Sequence, residues 1–474
     1  MVIIHNLIYT INLFMIKQNK YTKNFYIILF VLTFGLAFSL LPVSMDYGGD
    51  EKNYIKNLIN FYYGEFYFNE NSHLSYRWGM YLVPSFFYFF YGSNPLTFFL
   101  SSHAVIFVAF FFFLKIYFDK NFNWIAFISF TTLWFTNPEI IKLIYNLLPQ
   151  GTGLLVLSIL MLFIFTCLKK KTEDIKINLI FLLSILIFFL YGVKEVNVFL
   201  FFPILVFLFL KFNKKQIIYL VLFGILFFLL ECILFYFLTD GRFISRIHYF
   251  FLNESSVFNT FWYENEKFIE TDGGIISRWL KISTFSKFLI PSTILIIIYN
   301  IINKKSVSLE IYVTSYITLI YTLFVTFFFI KINPLVPFVP SRVDNIVIIL
   351  PFCFVILIDF FLRIKFFRNK LLLFCIIFIF LLPRNVNYFY KNFIPSSAST
   401  NHNILTVYKH FKKLDHYNNE KGCIIISDLN TERLFAYFSI HKKKEVKNGK
   451  VLYSLENKEC NNQFLYLKKL NIQD

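Results

Sequence analysis

Charge is scarce in this chain: Asp, Glu, Lys and Arg make up 16% of it, against 57% hydrophobic and 22% aromatic residues. So little polar surface cannot cover a soluble globule of 474 residues, which points to a polytopic membrane protein. Acidic residues are scarcer still, 28 against 46 basic, for a net charge of +18. In a soluble domain that excess would suggest nucleic acid. Here the Lys and Arg fall largely in short loops between apolar runs, where positive charge sets orientation during insertion, so nucleic acid is excluded as a partner. Glycine is sparse, at 15 residues, and forms neither a phosphate-cradling loop nor a dinucleotide fingerprint. The eight histidines show no HExxH spacing. These absences exclude ATP hydrolysis, a nucleotide cofactor and a zinc centre, and no cofactor is expected. Of six cysteines, Cys167, Cys232, Cys353 and Cys375 fall in or beside apolar runs and read as small core residues. Cys423 and Cys460 lie in a polar segment where an oxidising compartment would allow a disulfide, but two cysteines do not establish a pair.

Long apolar runs are what the chain has instead. A spanning helix needs about 20 mostly apolar residues to cross roughly 30 Å of hydrocarbon, which gives about eleven spans. They are expected at Asn24 to Val43, Pro95 to Ile116, Asn123 to Phe135, Leu148 to Leu168, Asn178 to Val193 and Val196 to Leu210. The remainder are Gln216 to Leu238, Phe288 to Ile302, Glu310 to Ile330, Val343 to Leu362 and Leu371 to Leu382. The stretch Asn178 to Leu210 would measure about 50 Å as one helix, so it must turn back, with Gly192 supplying the tight backbone. The residues before Lys17 are short and interrupted, so the first run reads as an anchor, not a cleaved signal, and Met15 reads as the start.

This enumeration has an internal check. Lys17, Lys20, Lys23, Lys115, Lys120, Lys169 to Lys171, Lys211, Lys214, Lys215, Lys304, Lys305, Arg363, Lys365, Arg368 and Lys370 all fall on one side, which is therefore cytoplasmic together with the N-terminus. The opposite side collects the unusual polar residues. Asp50 and Glu51 follow the first span, and the sequence from Asp50 to Tyr63 places Tyr54, Leu58, Ile59, Phe61 and Tyr62 on an apolar stripe suited to an interfacial helix. Asp50 at its N-cap would stay ionised and fixed in direction. The aromatic segment Tyr76 to Tyr91, with Arg77 and Pro84, is either an interfacial or re-entrant helix or an extra pair of crossings. Lys194 and Glu195 sit at the turn after the fifth span, as functional groups or as an ion pair capping two helix ends. The loop Thr239 to Lys287, with Arg242, Arg246 and Gly273-Gly274, is either a lid over a site or a solvated connection.

This layout resembles the polytopic GT-C glycosyltransferases, which include protein O-mannosyltransferases and lipid A aminoarabinose transferases. Members carry an Asp-Glu pair in the first outer loop, interfacial helices, a Pro-containing aromatic segment and a closing Gly, similar to Asp50-Glu51, Tyr54, Pro84 and Gly92. A Lys-Glu turn before a Pro-containing run resembles Lys194-Glu195 and Pro203, and an Arg opening a span resembles Arg342 with Pro351. Many members have a second acidic residue after a Leu-Pro step, where this chain has Gln150, which can hydrogen-bond a sugar but cannot act as a base. The resemblance implies transfer of a sugar from a polyprenyl phosphate, with inversion, to an envelope glycan, lipid or protein acceptor. Asp50 would be the base, with Glu51 orienting it or the acceptor. Lys194, Arg77 and Arg342 would stabilise the departing phosphate, and Tyr54, Gln150 and Glu195 would join them in binding substrate. No metal is expected, although a divalent ion bridging Asp50 or Glu51 to phosphate is chemically allowed.

After Pro383 the composition turns polar. Residues 1–383 are expected to form the multi-span catalytic domain and 384–474 a small α/β domain on the outer side, with helices at His402 to Leu414 and Thr431 to Ser439. Its strands are expected at Cys423 to Ser427, Val451 to Ser454 and Gln463 to Leu467. The Lys, Asn, Ile and Phe bias fits an AT-rich genome, and a bacterial inner membrane is the expected location. Two other classes stay open: a flippase or transporter of lipid-linked sugars, and an envelope polysaccharide polymerase or ligase.

Overall fold

The computed structural model describes residues 77–92, 95–118, 123–145, 147–246, 248, 284–302, 307–331 and 347–363, together with residues 54, 57, 58, 61 and 62 and four short strands near the C-terminus. Its helices are α1 (Trp78–Tyr91), α2 (Pro95–Phe118), α3 (Trp124–Thr136), α4 (Pro138–Tyr145), α5 (Pro149–Lys169) and α6 (Ile177–Val193). They continue with α7 (Phe201–Lys211), α8 (Lys214–Leu238), α9 (Thr284–Ile302), α10 (Leu309–Lys331) and α11 (Leu350–Arg363). Among the described residues, Leu100–Phe118, Pro149–Lys169 and Lys214–Leu238 are each long and apolar enough to cross a membrane. Shorter apolar helices lie beside them, and by length and composition this is a helical membrane protein. The expected runs Asn24 to Val43 and Leu371 to Leu382 lie outside the described residues.

Helix α5 forms the centre of the bundle, packed by α2 on one side and α6 on another. Some 67% of its apolar window is buried, against 11% for α8, which lies on the periphery with Leu222, Leu229, Leu234 and Phe237 exposed. Aromatic packing joins α2 and α3: Phe110 stacks on Phe130 at 5.5 Å, and Trp134 meets Phe110 and Phe113 edge-on or tilted. Hydroxyl side chains within these helices turn back on their own backbone, as Thr131 Oγ1 donates to the Phe127 carbonyl and Ser184 Oγ to that of Ile180. That arrangement satisfies a polar atom in apolar surroundings, and Ser184 Oγ also reaches the Leu220 carbonyl of α8 at 3.4 Å.

Contacts at the two ends show how the helices alternate. At one end Lys169, closing α5, pairs with Glu310 in the first turn of α10 at 2.6 Å. Tyr117 and Thr314 hydrogen-bond there at 2.6 Å, and Arg363 donates to Asn300 Oδ1 at 2.7 Å. Gln216, in the first turn of α8, donates to the carbonyls of Thr172 and Ile175, tying α8 to the loop before α6. At the other end the start of α1 lies against the end of α6, and the start of α5 lies against residues 193, 197 and 348.

Two local differences from the sequence reading have physical causes. The run Val196 to Leu210 is a 3-10 turn, Glu195–Leu200, followed by α7, because Asn197 Nδ2 donates back to the Leu190 carbonyl and holds the reversal tight. The turn itself is made by Lys194 in extended conformation, φ −157°. Gly192 stays helical, so its missing side chain serves packing, not a bend. Likewise the run from Val343 resolves, in its described part, into a 3-10 turn (Val347–Ile349) leading into α11.

Near the C-terminus four strands, β1 (Cys423–Ile426), β2 (Lys444–Lys447), β3 (Lys450–Ser454) and β4 (Leu465–Leu467), pair in the order β2-β3-β1-β4. β1 is antiparallel to β3 and parallel to β4. Lys447 pairs with Lys450 across Asn448-Gly449, a dipeptide that favours two-residue hairpins. The helices expected at His402 to Leu414 and Thr431 to Ser439 lie outside the described residues.

Candidate functional site

The polar residues of interest gather where α1 starts, α5 starts, and α6 and α8 end. Close approach of α1 to α6 is possible only through glycine. A Cβ on Gly79 would lie 2.8 Å from the backbone of Gly192 and Val193, and one on Gly192 would lie 2.4 Å from Cζ2 of Trp78. Small residues of this kind let helices associate in a membrane, where lipid removes the hydrophobic drive between them. Gly153 of α5 reaches the same junction, with the side chains of Ile348, Asn197 and Val193 at 3.2, 3.6 and 3.8 Å from its added Cβ.

Trp78 is wedged into this junction. Its ring stacks on Phe189 at 5.8 Å and tilts against Phe188 at 5.4 Å. Its indole Nε1 donates to Oε1 of Glu231 at 3.3 Å, crossing from α1 to α8. Glu231 is 4% exposed although α8 is otherwise a peripheral apolar helix, so the carboxylate faces the bundle. Its other oxygen, Oε2, finds no hydrogen-bond partner among the described residues.

Arg77 precedes α1 and is buried. One of its Nη atoms donates to the hydroxyl of Tyr54, and its guanidinium carbon lies 5.9 Å from the centre of the Tyr54 ring. Tyr54 and Leu58, one helical turn apart, are both buried. Phe61 and Tyr62 continue onto α1 through Tyr81 at 5.9 Å and Tyr88 at 4.8 Å. The apolar stripe read from this segment is therefore the face that packs, with Tyr62 at its exposed margin.

A second arginine arrives from the far side. After α8 the chain turns through Asp240 at φ 51° and Gly241 at φ 77°, with Gly241 N–H donating to the Tyr236 carbonyl at 2.8 Å. Thr239 Oγ1 donates to the Phe235 carbonyl and accepts from Phe243 N–H, which fixes the returning strand of chain. Arg246 is thereby delivered to the junction, 1% exposed, stacked over Tyr191 at 4.8 Å and donating to the Tyr191 carbonyl at 2.9 Å. Arg77 and Arg246 both act electrostatically on the wholly buried Tyr81, and Arg246 acts on Glu231. The result is a compact cluster of two guanidiniums, one carboxylate and several phenols, capable of holding an anion or a hydroxylated ligand.

Of the residues expected from sequence, Tyr54 and Arg77 are brought into direct contact. Gln150 lies in the first turn of α5 behind Pro149, 5% exposed, and its Oε1 has no partner among the described residues. Lys194 caps α6 at the same end, and Glu195 opens the following 3-10 turn. Asp50, Glu51 and Arg342 lie outside the described residues, as does most of the loop Thr239 to Lys287. Trp78, Tyr81, Tyr191 and Glu231 are additions that sequence reasoning missed. Glu231 carried a usable signal: between Lys215 and Leu238 it is the one charged residue in an apolar helix, the pattern that marks a functional candidate within a membrane. Among the described residues no three His, Cys, Asp or Glu side chains converge as a metal centre.

No family model, curated protein or solved structure matches the chain.

Proposed function

We propose that the chain is a membrane glycosyltransferase of about eleven spans, transferring a sugar from a polyprenyl phosphate to an acceptor at the outer surface of a bacterial inner membrane. The observation that carries this reading is the buried contact between Arg77 and Tyr54, with Arg246 close by on the same phenol, Tyr81. Asp50 is four residues from Tyr54, so a fully extended chain would span at most about 14 Å between them. In this reading the acidic pair works with the two buried cations, the combination needed to deprotonate an acceptor while stabilising a departing phosphate.

In this mechanism Asp50 takes the acceptor hydroxyl proton as that oxygen attacks the anomeric carbon, with Glu51 holding the acceptor. The bond to the phosphate oxygen breaks on the opposite face, giving inversion. Arg77, with Lys194 and Arg342, balances the phosphate charge, so no separate general acid is required. Tyr54 fixes Arg77, and Gln150 and Glu195 offer hydrogen bonds to the sugar. In this reading the polar segment 384–474 belongs to the same outer side, where it would meet the acceptor.

A specific observation favours a second reading, a proton-linked transporter of lipid-linked sugars. Glu231 sits seven residues inside the end of α8, roughly 10 Å along the helix, and buried carboxylates at such depth serve proton or ion coupling in transporters. Comparing glycolipids and glycans of cells with and without the protein, alongside an Asp50→Asn strain, separates the two. Loss of a glycosylated product in both the deletion and the Asp50→Asn strain supports transfer. Full product in Asp50→Asn cells, with lipid-linked sugar accumulating only in the deletion, supports transport.

A further inference from the structure

Two buried acceptor oxygens at the junction, Glu231 Oε2 and Gln150 Oε1, have no hydrogen-bond partner among the described residues. Both residues are fixed by their surroundings: Trp78 Nε1 holds the other oxygen of Glu231, and Gln150 stands in the first turn of α5. They connect through packed contacts: Glu231 to Trp78, Trp78 to Gly192, then Val193 to Gly153, one turn from Gln150. A buried polar atom without a partner is costly, and a carboxylate oxygen more so, so such atoms persist where a ligand or water completes them.

We propose that Glu231 is a substrate-binding residue whose Oε2 accepts a hydrogen bond from a hydroxyl of the transferred sugar, with Gln150 completing a polyol subsite. This rests on the glycosyltransferase reading above. The hydroxyl is the fitting ligand group because it both donates and accepts. Two hydroxyls of one ring answer the two orphaned acceptors, one each, and the hydroxyl at Gln150 does so whichever way that amide is turned. A phosphate would bring only acceptors and leave Glu231 facing like charge, so the anion is assigned to Arg77 and Arg246 and the sugar ring to Glu231. Trp78 acts as a positioning residue: pinned between Phe188, Phe189 and the bare backbone of Gly192, it orients the carboxylate with one oxygen bound and one presented.

The test uses full-length protein in lipid nanodiscs. Binding of polyprenyl phosphate and of polyprenyl-phosphate hexose is measured by microscale thermophoresis for the parent, Glu231→Gln, Glu231→Leu and Gln150→Ala. The parent should bind the glycosylated lipid more tightly than the bare one. Losing a hydrogen bond to a charged group weakens binding by roughly ten- to a hundred-fold, so Glu231→Leu should lose the sugar-dependent part while keeping affinity for bare polyprenyl phosphate. Glu231→Gln keeps its carbonyl oxygen as acceptor for Trp78 and turns an amide N–H, a donor, toward the sugar oxygen, and should fall between. Gln150→Ala, which leaves the Trp78 contact intact, should weaken only the glycosylated lipid and guards against a folding defect in the Glu231 variants. An unchanged preference for the glycosylated lipid in both Glu231 variants overturns the subsite while leaving the enzyme reading standing. Failure of the parent to bind either lipid overturns that reading and the subsite with it. A polyprenyl-phosphate aminosugar preferred to the hexose, with that preference lost in Glu231→Leu, overturns the hydroxyl assignment in favour of an ammonium.

Discussion

Replacing Gly192 by Ala should be among the most damaging methyl additions in this protein. The new Cβ would fall 2.4, 2.6 and 2.8 Å from three atoms of the Trp78 indole, far inside contact distance. The ring cannot swing away cheaply, because Phe188 and Phe189 pack against it and Nε1 is bound to Glu231. Overpacking of this kind costs about 1–3 kcal/mol, and if the indole shifts enough to release Glu231 another 1.5–3 kcal/mol follows, for a total of about 2.5–6 kcal/mol. The assay is unfolding in mixed detergent micelles, read as the shift in denaturing midpoint. Gly224→Ala on α8 is the control, since no heavy atom lies within 4 Å of its added Cβ and it should be neutral or slightly stabilising. Trp78→Ala is destabilising in itself, but in that background Gly192→Ala should cost less than about 0.5 kcal/mol, exposing the coupling in a double-mutant cycle. Gly192→Ala as stable as the parent, or equally harmful with and without Trp78, would refute the reasoning.

Three further outcomes follow from other contacts. Gln216→Ala removes a reciprocal cap with Asn213 and two hydrogen bonds to the carbonyls of Thr172 and Ile175, and should cost roughly 2–3 kcal/mol in the same unfolding assay. Gly241→Ala forces a side chain into φ 77° against the Tyr236 ring and should cost about 1–2 kcal/mol, with transfer activity lowered because Arg246 is carried on that turn. Lys169→Met removes the pair with Glu310, whose side chains are 36% and 17% exposed, and should change stability by no more than about 1 kcal/mol, less at high salt.

The helices were legible where an apolar run is bounded by charge. The run expected at Asn178 to Val193 is helical over Ile177–Val193, and that expected at Gln216 to Leu238 is helical over Lys214–Leu238. They were less legible where a side chain intervenes in the backbone. Asn137 Oδ1 accepts from the N–H groups of Glu139 and Ile140, starting the separate helix α4 between the spans expected at Asn123 to Phe135 and Leu148 to Leu168. Asn197 makes a 3-10 turn of residues read as the start of a span. Gly192 illustrates the same limit: a lone glycine near a reversal suggests a bend, whereas its use is set by a tryptophan more than a hundred positions earlier. Of the site, local pattern found Tyr54 and Arg77 because both lie on the segment between the first two expected spans. Glu231 and Trp78 meet across 153 positions, and no periodicity within either segment announces the pairing.

The central claim is that a carboxylate from the first outer loop acts with buried cations on a lipid-borne glycosyl phosphate. Its most direct measurement is single-turnover transfer from radiolabelled polyprenyl-phosphate sugars, supplied as a panel to reconstituted protein with membrane-extracted acceptors. The parent should release polyprenyl phosphate and label an acceptor with at least one sugar, and Asp50→Asn should lose at least about a hundred-fold in rate while keeping donor affinity. An Asp50→Asn protein turning over at the parent's rate would contradict the account.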